Sequence, residues 1–244
     1  MCRVFGFLFG IVFAWSSASG LAVEPRWLVE TPTAGTLPHG VMSADLLASE
    51  GVGLLGGISY GFWGRVVVNM SFGGSALIGD GSVNWNPDPG VSGRIRILNE
   101  TSSRPAFAIG FRSQGFGPYD DQLERYASKS LGIYGVFSRN YANPIGQGGV
   151  HFGLNRSLED DDGDDSLTGF LGTDLEIAER FSLLVEYQFG FNDNGGQALG
   201  RGNLSVGARL WVVEKVTLGG HLKNVLEDGG GRVWEVRVEV VRGR

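Results

Sequence analysis

The sequence predicts an all-β fold, an antiparallel transmembrane β-barrel of about twelve strands, and three observations carry that prediction. The first is the stretch Leu167–Phe191. Leu167, Gly169, Leu171, Thr173, Leu175 and Ile177 share one face, with Thr168, Phe170, Gly172, Asp174 and Glu176 on the other. After a polar break at Ala178, Glu179 and Arg180 the alternation restarts, with Phe181, Leu183, Val185, Tyr187, Phe189 and Phe191 on one side. Each arm is about eleven residues, close to the ~9–11 a tilted strand needs to cross a bilayer. The second observation is that no segment beyond the N-terminus is long and apolar enough for a spanning helix. A membrane protein built that way must be a barrel. The third is that short and long connections fall largely on opposite sides of the predicted strand array.

Taken in order, residues 1–22 read as a secretory signal peptide. Arg3 provides the positive start, Val4–Trp15 the apolar run, and Ser16–Gly20 the small-residue segment before cleavage. Residues 23–38, proline-punctuated, read as an extended periplasmic lead-in, and residues 39–244 as the outer-membrane barrel. The first predicted strand, Gly40–Ala48, turns Met42, Ala44, Leu46 and Ala48 outward and Asp45 inward. The second, Val52–Phe62, sets Leu54, Ile58, Tyr60 and Phe62 against Gly53, Gly57, Ser59 and Gly61. The third, from Arg65, sets Val66, Val68, Met70 and Phe72 against Asn69 and Ser71. Val91–Leu98 is the fourth. Phe107, Ile109 and Phe111 mark the fifth, Leu131, Ile133 and Phe137 the sixth, and Val150, Phe152 and Leu154 the seventh. The opening hairpin supplies the eighth and ninth. Leu204–Val212, Val216–Leu222 and Arg232–Val241 complete the set. Expected short turns lie at Trp63–Gly64, Ala178–Arg180 and Val213–Lys215. Expected long loops are Gly73–Gly90, Ser113–Lys129, Arg156–Ser166 and Asp193–Gly202. Two connections break the rule: Glu50–Gly51 is short on the loop side, and Tyr141–Gly149 is longish on the turn side.

Composition agrees with a barrel. The chain carries 41 glycines and only 19 % charged residues, yet 42 % hydrophobic and 11 % aromatic residues exclude low-complexity disorder. A net charge of −6 with no basic run argues against a nucleic-acid partner. The single cysteine, Cys2, falls in the signal segment, so no disulfide or thiolate metal site is expected.

The inward positions collect Arg94, Arg96, Arg112, Asp174, Glu176, Glu186, Arg209, Lys223, Glu235, Arg237 and Glu239. The basic members come mainly from the fourth, fifth and tenth strands, the acidic ones from the eighth, ninth and twelfth. Two readings stay open: a polar pore that selects solutes by sign, or a salt-bridge network filling a narrow barrel. The acidic run Glu159–Asp165 makes Asp160, Asp162 and Asp164 weak candidates for a loose divalent-ion site. Its spacing does not fit an EF-hand, so no metal or other cofactor is expected. NDNGG at Asn192–Gly196 reads as a turn. His151 and His221 point inward, no serine is tied to either by local spacing, and no nucleotide-binding motif is present, so an enzyme is not expected.

The order of segments resembles the YjbH-like group of bacterial outer-membrane proteins. TPTAGTLPHG (Thr31–Gly40), LIGDGSVNWNP (Leu77–Pro87), GRIRILNE (Gly93–Glu100), PAFAIGF (Pro105–Phe111), GIYGVFSRNY (Gly132–Tyr141), GGVHFGLN (Gly148–Asn155) and LLVEYQFGFND (Leu183–Asp193) carry the resemblance. It implies an exopolysaccharide-associated barrel in the outer membrane, acting in envelope transport or export as a pore or accessory. The partners implied are outer-membrane lipid, lipopolysaccharide, polysaccharide and other export proteins. A non-transporting surface barrel with a plugged lumen, and a barrel enzyme acting on lipid or glycan, are the alternative roles.

Overall fold

The computed structural model describes residues 25–49, 53–77, 82–178, 180–193, 202–213, 215–226 and 231–241. The expected signal peptide (1–22), the Glu50–Gly51 turn and the NGG end of NDNGG lie outside the described residues. So do Glu179 and Glu214 in the short turns, and the side chain of Glu239.

Period-two alternation becomes strand after strand, and no helix forms among the described residues. The elements are β1 (Val41–Ser49), β2 (Gly53–Phe62), β3 (Val66–Ser75), β4 (Asn84–Trp85), β5 (Gly90–Leu98), β6 (Ala106–Arg112), β7 (Phe116–Asp120) and β8 (Arg125–Ser128). They continue as β9 (Gly132–Asn143), β10 (Gly146–Arg156), β11 (Thr168–Ile177), β12 (Phe181–Gln188), β13 (Asn203–Val213), β14 (Val216–Leu222) and β15 (Arg232–Val241). Each barrel strand pairs antiparallel with its neighbours, and β1 closes the ring on β15 with Ala44 opposite Val238. The main sheet has thirteen strands; without the two-residue spur β4, which only extends β3, twelve form the closed barrel. β7 and β8 make a separate hairpin in the long connection between β6 and β9.

The predicted faces hold with one exception: Leu131, expected to face outward with Ile133 and Phe137, is buried in the cluster around Ala34, because it lies just before β9 and the positive-φ Gly132. Ile58, Phe152 and Val185 are 57, 47 and 41 % exposed on the outside, while Glu186, the next residue along β12, is fully buried. An apolar outer wall of this kind is stable against lipid and would not be against water. Aromatic rings border it, with Trp85 stacked on Phe72 at the long-loop end and Trp63 exposed at the short-turn end.

Two expectations need correction. The Tyr141–Gly149 connection is not long: β9 runs to Asn143, pairs it with Gly146, and leaves only Pro144 and Ile145 as a turn. The glycine-rich run Gly146–Gly149 reads as a loop in sequence, but here its glycines let β10 lie close against β9 and β11. An added Cβ at Gly148 would sit 2.9 Å from the Tyr141 ring. The larger correction concerns residues 25–38. These do not precede the barrel as a periplasmic lead-in; they run inside it. Leu28, Thr31 and Ala34 are fully buried, and Arg26, Glu30 and Leu37 nearly so.

Candidate functional site: the lumen and its internal hairpin

The lumenal segment is a tight hairpin. Trp27 pairs with Pro32, the Leu28 N–H donates to the Thr31 carbonyl at 2.9 Å, and the Thr33 N–H to the Arg26 carbonyl at 3.1 Å. The chain then descends to the short-turn end. There the Thr36 hydroxyl donates to the Gly64 carbonyl, and Leu37 and Pro38 pack against Gly61, where a Cβ would lie 2.3 Å from the Pro38 carbonyl oxygen. Gly61 therefore leaves room for the hairpin to join β1.

The tip is anchored by Glu186. Its carboxylate accepts the N–H groups of Val29, Glu30 and Thr31 at 2.9–3.0 Å, and the Thr31 hydroxyl at 2.8 Å. Three successive backbone donors converging on one anion form the cradle that main chain offers to negative charge, and they satisfy a carboxylate that would be costly to bury alone. Leu28 fills the space over Gly172, where an added Cβ would lie 2.3 Å from its Cδ1. Glu30 makes a salt bridge with Lys223 and accepts from the Gln188 amide. Arg26 donates to Ser43 and Ser59 and faces Asp45 at 3.7 Å.

Every described residue of the predicted lumenal charge set faces inward, but the set divides in two. One group pairs within the wall. Arg209 Nε meets Glu235 at 2.8 Å, Arg237 meets Asp45 and Glu235 at 2.5 Å, and His221 Nε2 lies 3.0 Å from Glu235. The other group works through the hairpin. Arg94 donates to the carbonyls of Arg26 and Gly35 at 2.9 and 2.7 Å and to the Tyr134 hydroxyl at 3.0 Å. Arg96 donates to the Ala34 carbonyl at 2.8 Å, and Arg112 reaches the Glu30 carbonyl at 3.4 Å. Arg209 joins both groups by also donating to the carbonyls of Trp27 and Leu28. Glu176 is half-buried at the short-turn end of β11. A cavity of about 60 Å³ remains beside the hairpin, between Trp27, Val29 and the wall that carries Asn69, Ser71, Arg112 and Arg237.

His151 sits in a chain of contacts that sequence spacing hid. Its Nδ1 is 2.8 Å from Ser138 Oγ, its Nε2 2.8 Å from Asp174, and the Ser138 oxygen accepts the Ala34 N–H at 2.8 Å. Ser138 lies thirteen residues away in sequence and directly opposite His151 in the β9–β10 register, so only strand pairing exposes the contact. Serine, histidine and aspartate are also the residues of nucleophilic catalysis; here the Ser138 oxygen is engaged by the hairpin backbone.

At the long-loop end Asp160, Asp162 and Asp164 do not converge. Asp162 is held by Arg125 at 2.6 Å and Lys129 at 2.7 Å, while Arg125 also meets Asp193 at 2.8 Å. Among the described residues no three histidine, cysteine or acidic side chains gather as metal ligands do. Burial would raise the Asp162 carboxyl, but hydrogen bonds from Lys129, the Asp164 N–H and Arg125 outweigh it and hold it below its usual range. Burial pushes Glu159 up instead, against hydrogen bonds from Ser130 and the Tyr126 N–H. Burial also drives the Tyr126 phenol up to about 12.

The hairpin residues Arg26, Trp27, Glu30 and Thr31 were missed by sequence reasoning. The signal was there: Trp27, Leu28 and Val29 form an apolar run that an exposed lead-in has no reason to carry.

No family model and no curated protein matches this chain. Solved structures similar to it include a KdgM porin, at 10 % identity and a TM-score of 0.49, covering 83 % of this chain and 99 % of that one. Another is the Acinetobacter baumannii outer membrane protein Omp33, at 9 % identity and a TM-score of 0.45, covering 85 % and 100 %. Likeness at this level says nothing of solute or mechanism, which have to come from the chain's own residues.

Proposed function

We propose that this chain is an outer-membrane pore gated by its own N-terminal hairpin, with a role in envelope transport or exopolysaccharide export. The observation that carries the reading is the way the lumen is filled. The chain leaves the hairpin at the short-turn end, which is the periplasmic side under the usual arrangement of such barrels. Hydrogen bonds and ion pairs to wall side chains, interactions that water can replace, hold much of the hairpin. Small apolar clusters add to these: Leu28 and Val29 with Leu184, Ala34 with Ala106, Ala108 and Phe170, and Leu37 with Val67. A cavity of about 60 Å³ lies beside the hairpin, lined in part by Asn69, Ser71 and Ser92. Polysaccharide as cargo is what the YjbH-like resemblance suggests.

The density of the same contacts favours a second reading, a permanently plugged barrel that only supports its outer loops. Planar-bilayer recording of the refolded chain separates the two. With a gate, the wild type gives brief, rare openings, and Glu186→Gln, which removes the charge that gathers three N–H groups, raises open probability several-fold. Silence in both correctly inserted proteins overturns the pore.

A further inference from the structure

Two lumenal cations owe their compensation to the hairpin. Among the described residues neither Arg94 nor Arg112 has a carboxylate oxygen within ion-pair distance. Arg94 spends its donors on two hairpin carbonyls and the Tyr134 hydroxyl, and Arg112 reaches only the Glu30 carbonyl. Both guanidinium groups also lie 4.7 Å from the centroid of the Trp27 ring. A buried cation is ordinarily matched by an anion. Around Arg94 peptide carbonyls and one aromatic ring stand in for it, while Arg112 is balanced from beyond contact distance, chiefly by the carboxylate of Glu30 on the hairpin and also by that of Glu186 on the wall.

The surroundings narrow what the natural occupant would be. Arg112 lies over the Phe116 ring at 5.4 Å, and the Lys223 ammonium lies 4.0 Å from the same ring. Asn69, Ser71 and Ser92 line the adjoining cavity together with Arg112 and Phe116, and the two acids there, Asp45 and Glu235, are already paired with Arg237 and Arg209. Guanidinium groups take carboxylates in paired, charge-assisted hydrogen bonds, stronger than those to a neutral carbonyl. Flat aromatic faces suit the C–H faces of sugar rings, and amide and hydroxyl side chains suit their hydroxyls.

We infer that Arg94 and Arg112, with Phe116 and Tyr134, form a binding site for a carboxylate-bearing glycan, and that the hairpin occupies this site as an internal surrogate. Arg112, at the edge of the cavity, is the first of the two to be met as the hairpin withdraws, and the glycan displaces Trp27 to reach Arg94. The inference deepens the gated-pore reading by naming its ligand, and it rests on that reading for the route of entry.

Calorimetry of the refolded chain in detergent, titrated with an oligomannuronate, tests the site. A neutral cello-oligosaccharide of equal length and free acetate serve as comparisons. The oligomannuronate binds, the neutral chain and acetate do not, and R94Q/R112Q weakens binding at least about tenfold, whereas R94K/R112K, which keeps both charges, retains part of it. A second arm does not depend on those variants folding. Trp27 covers both guanidinium groups without forming an ion pair, so W27A uncovers them and leaves both arginines intact. W27A binds oligomannuronate several-fold more tightly than the wild type. Equal binding of acidic and neutral chains, undiminished binding by folded R94Q/R112Q, or unchanged or weaker binding by folded W27A overturns the inference. A chain that binds oligomannuronate yet never conducts sinks the pore and leaves the site; one that conducts yet binds neither sugar does the reverse.

Discussion

The two sides of the lumen handle the same problem, buried charge, in different ways. On β13, β15 and β1 the charges answer one another across adjacent strands: Arg209 with Glu235, and Arg237 with Asp45. On β5 and β6 the arginines project toward the hairpin and are satisfied by its carbonyls and by Trp27. The ion pairs of the first side belong to the wall, although Arg209 also donates to the hairpin carbonyls of Trp27 and Leu28. The second is complete only while the hairpin is docked.

The contrast breaks most visibly at Glu235, which meets Arg209, Arg237 and His221 at once. Glu235→Ala takes the only carboxylate within ion-pair distance of Arg209 among the described residues, leaving Arg237 its pair with Asp45, and is expected to cost about 3–5 kcal/mol, as the loss of one partner from a buried pair does. Equilibrium unfolding in lipid by urea reads it, and a change under about 1 kcal/mol would show that the wall pairs are hydrated. Next in size is the lipid face. Val185→Arg, one residue from Glu186 but on the opposite surface, should cost about 2–4 kcal/mol near the midplane. A silent substitution there would refute the register that places every lumenal side chain.

The smallest effect belongs to the long-loop end, where Arg125 and Lys129 hold Asp162. Because the folded carboxyl titrates below its unfolded value, its stabilisation is present above the unfolded value, near 3.9, and is lost as pH falls through the folded one. Glu159, shifted upward, acts in the opposite sense: its contribution is complete below its unfolded value and declines as pH rises through the folded one. Limited proteolysis of the loops should therefore quicken at strongly acidic pH, and in Asp162→Asn the acid-induced part should largely vanish. Loops cut equally fast from neutral to strongly acid pH would mean that the Asp162 pairs do not order them.

Much of this molecule was legible in residue order because strands write their environment into alternate positions. Ile58, Phe152 and Val185 fell outside and Arg94, Glu186 and Arg209 inside, as period two requires, since pleating turns each side chain opposite to the last. The number of strands and the alternation of short and long connections followed from the same local pattern. The hairpin did not. Residues 25–38 have no periodicity, since they form no ladder with the wall, and their partners Glu186, Arg209 and Ser138 are more than a hundred positions away. The Ser138–His151–Asp174 chain was hidden for a related reason: strand register, not spacing, brings its members together. Local alternation therefore determined which residues face the lumen. Only the closed tertiary structure decided what occupies it, because that depends on which long-range donors and acceptors the closed wall brings within hydrogen-bond reach.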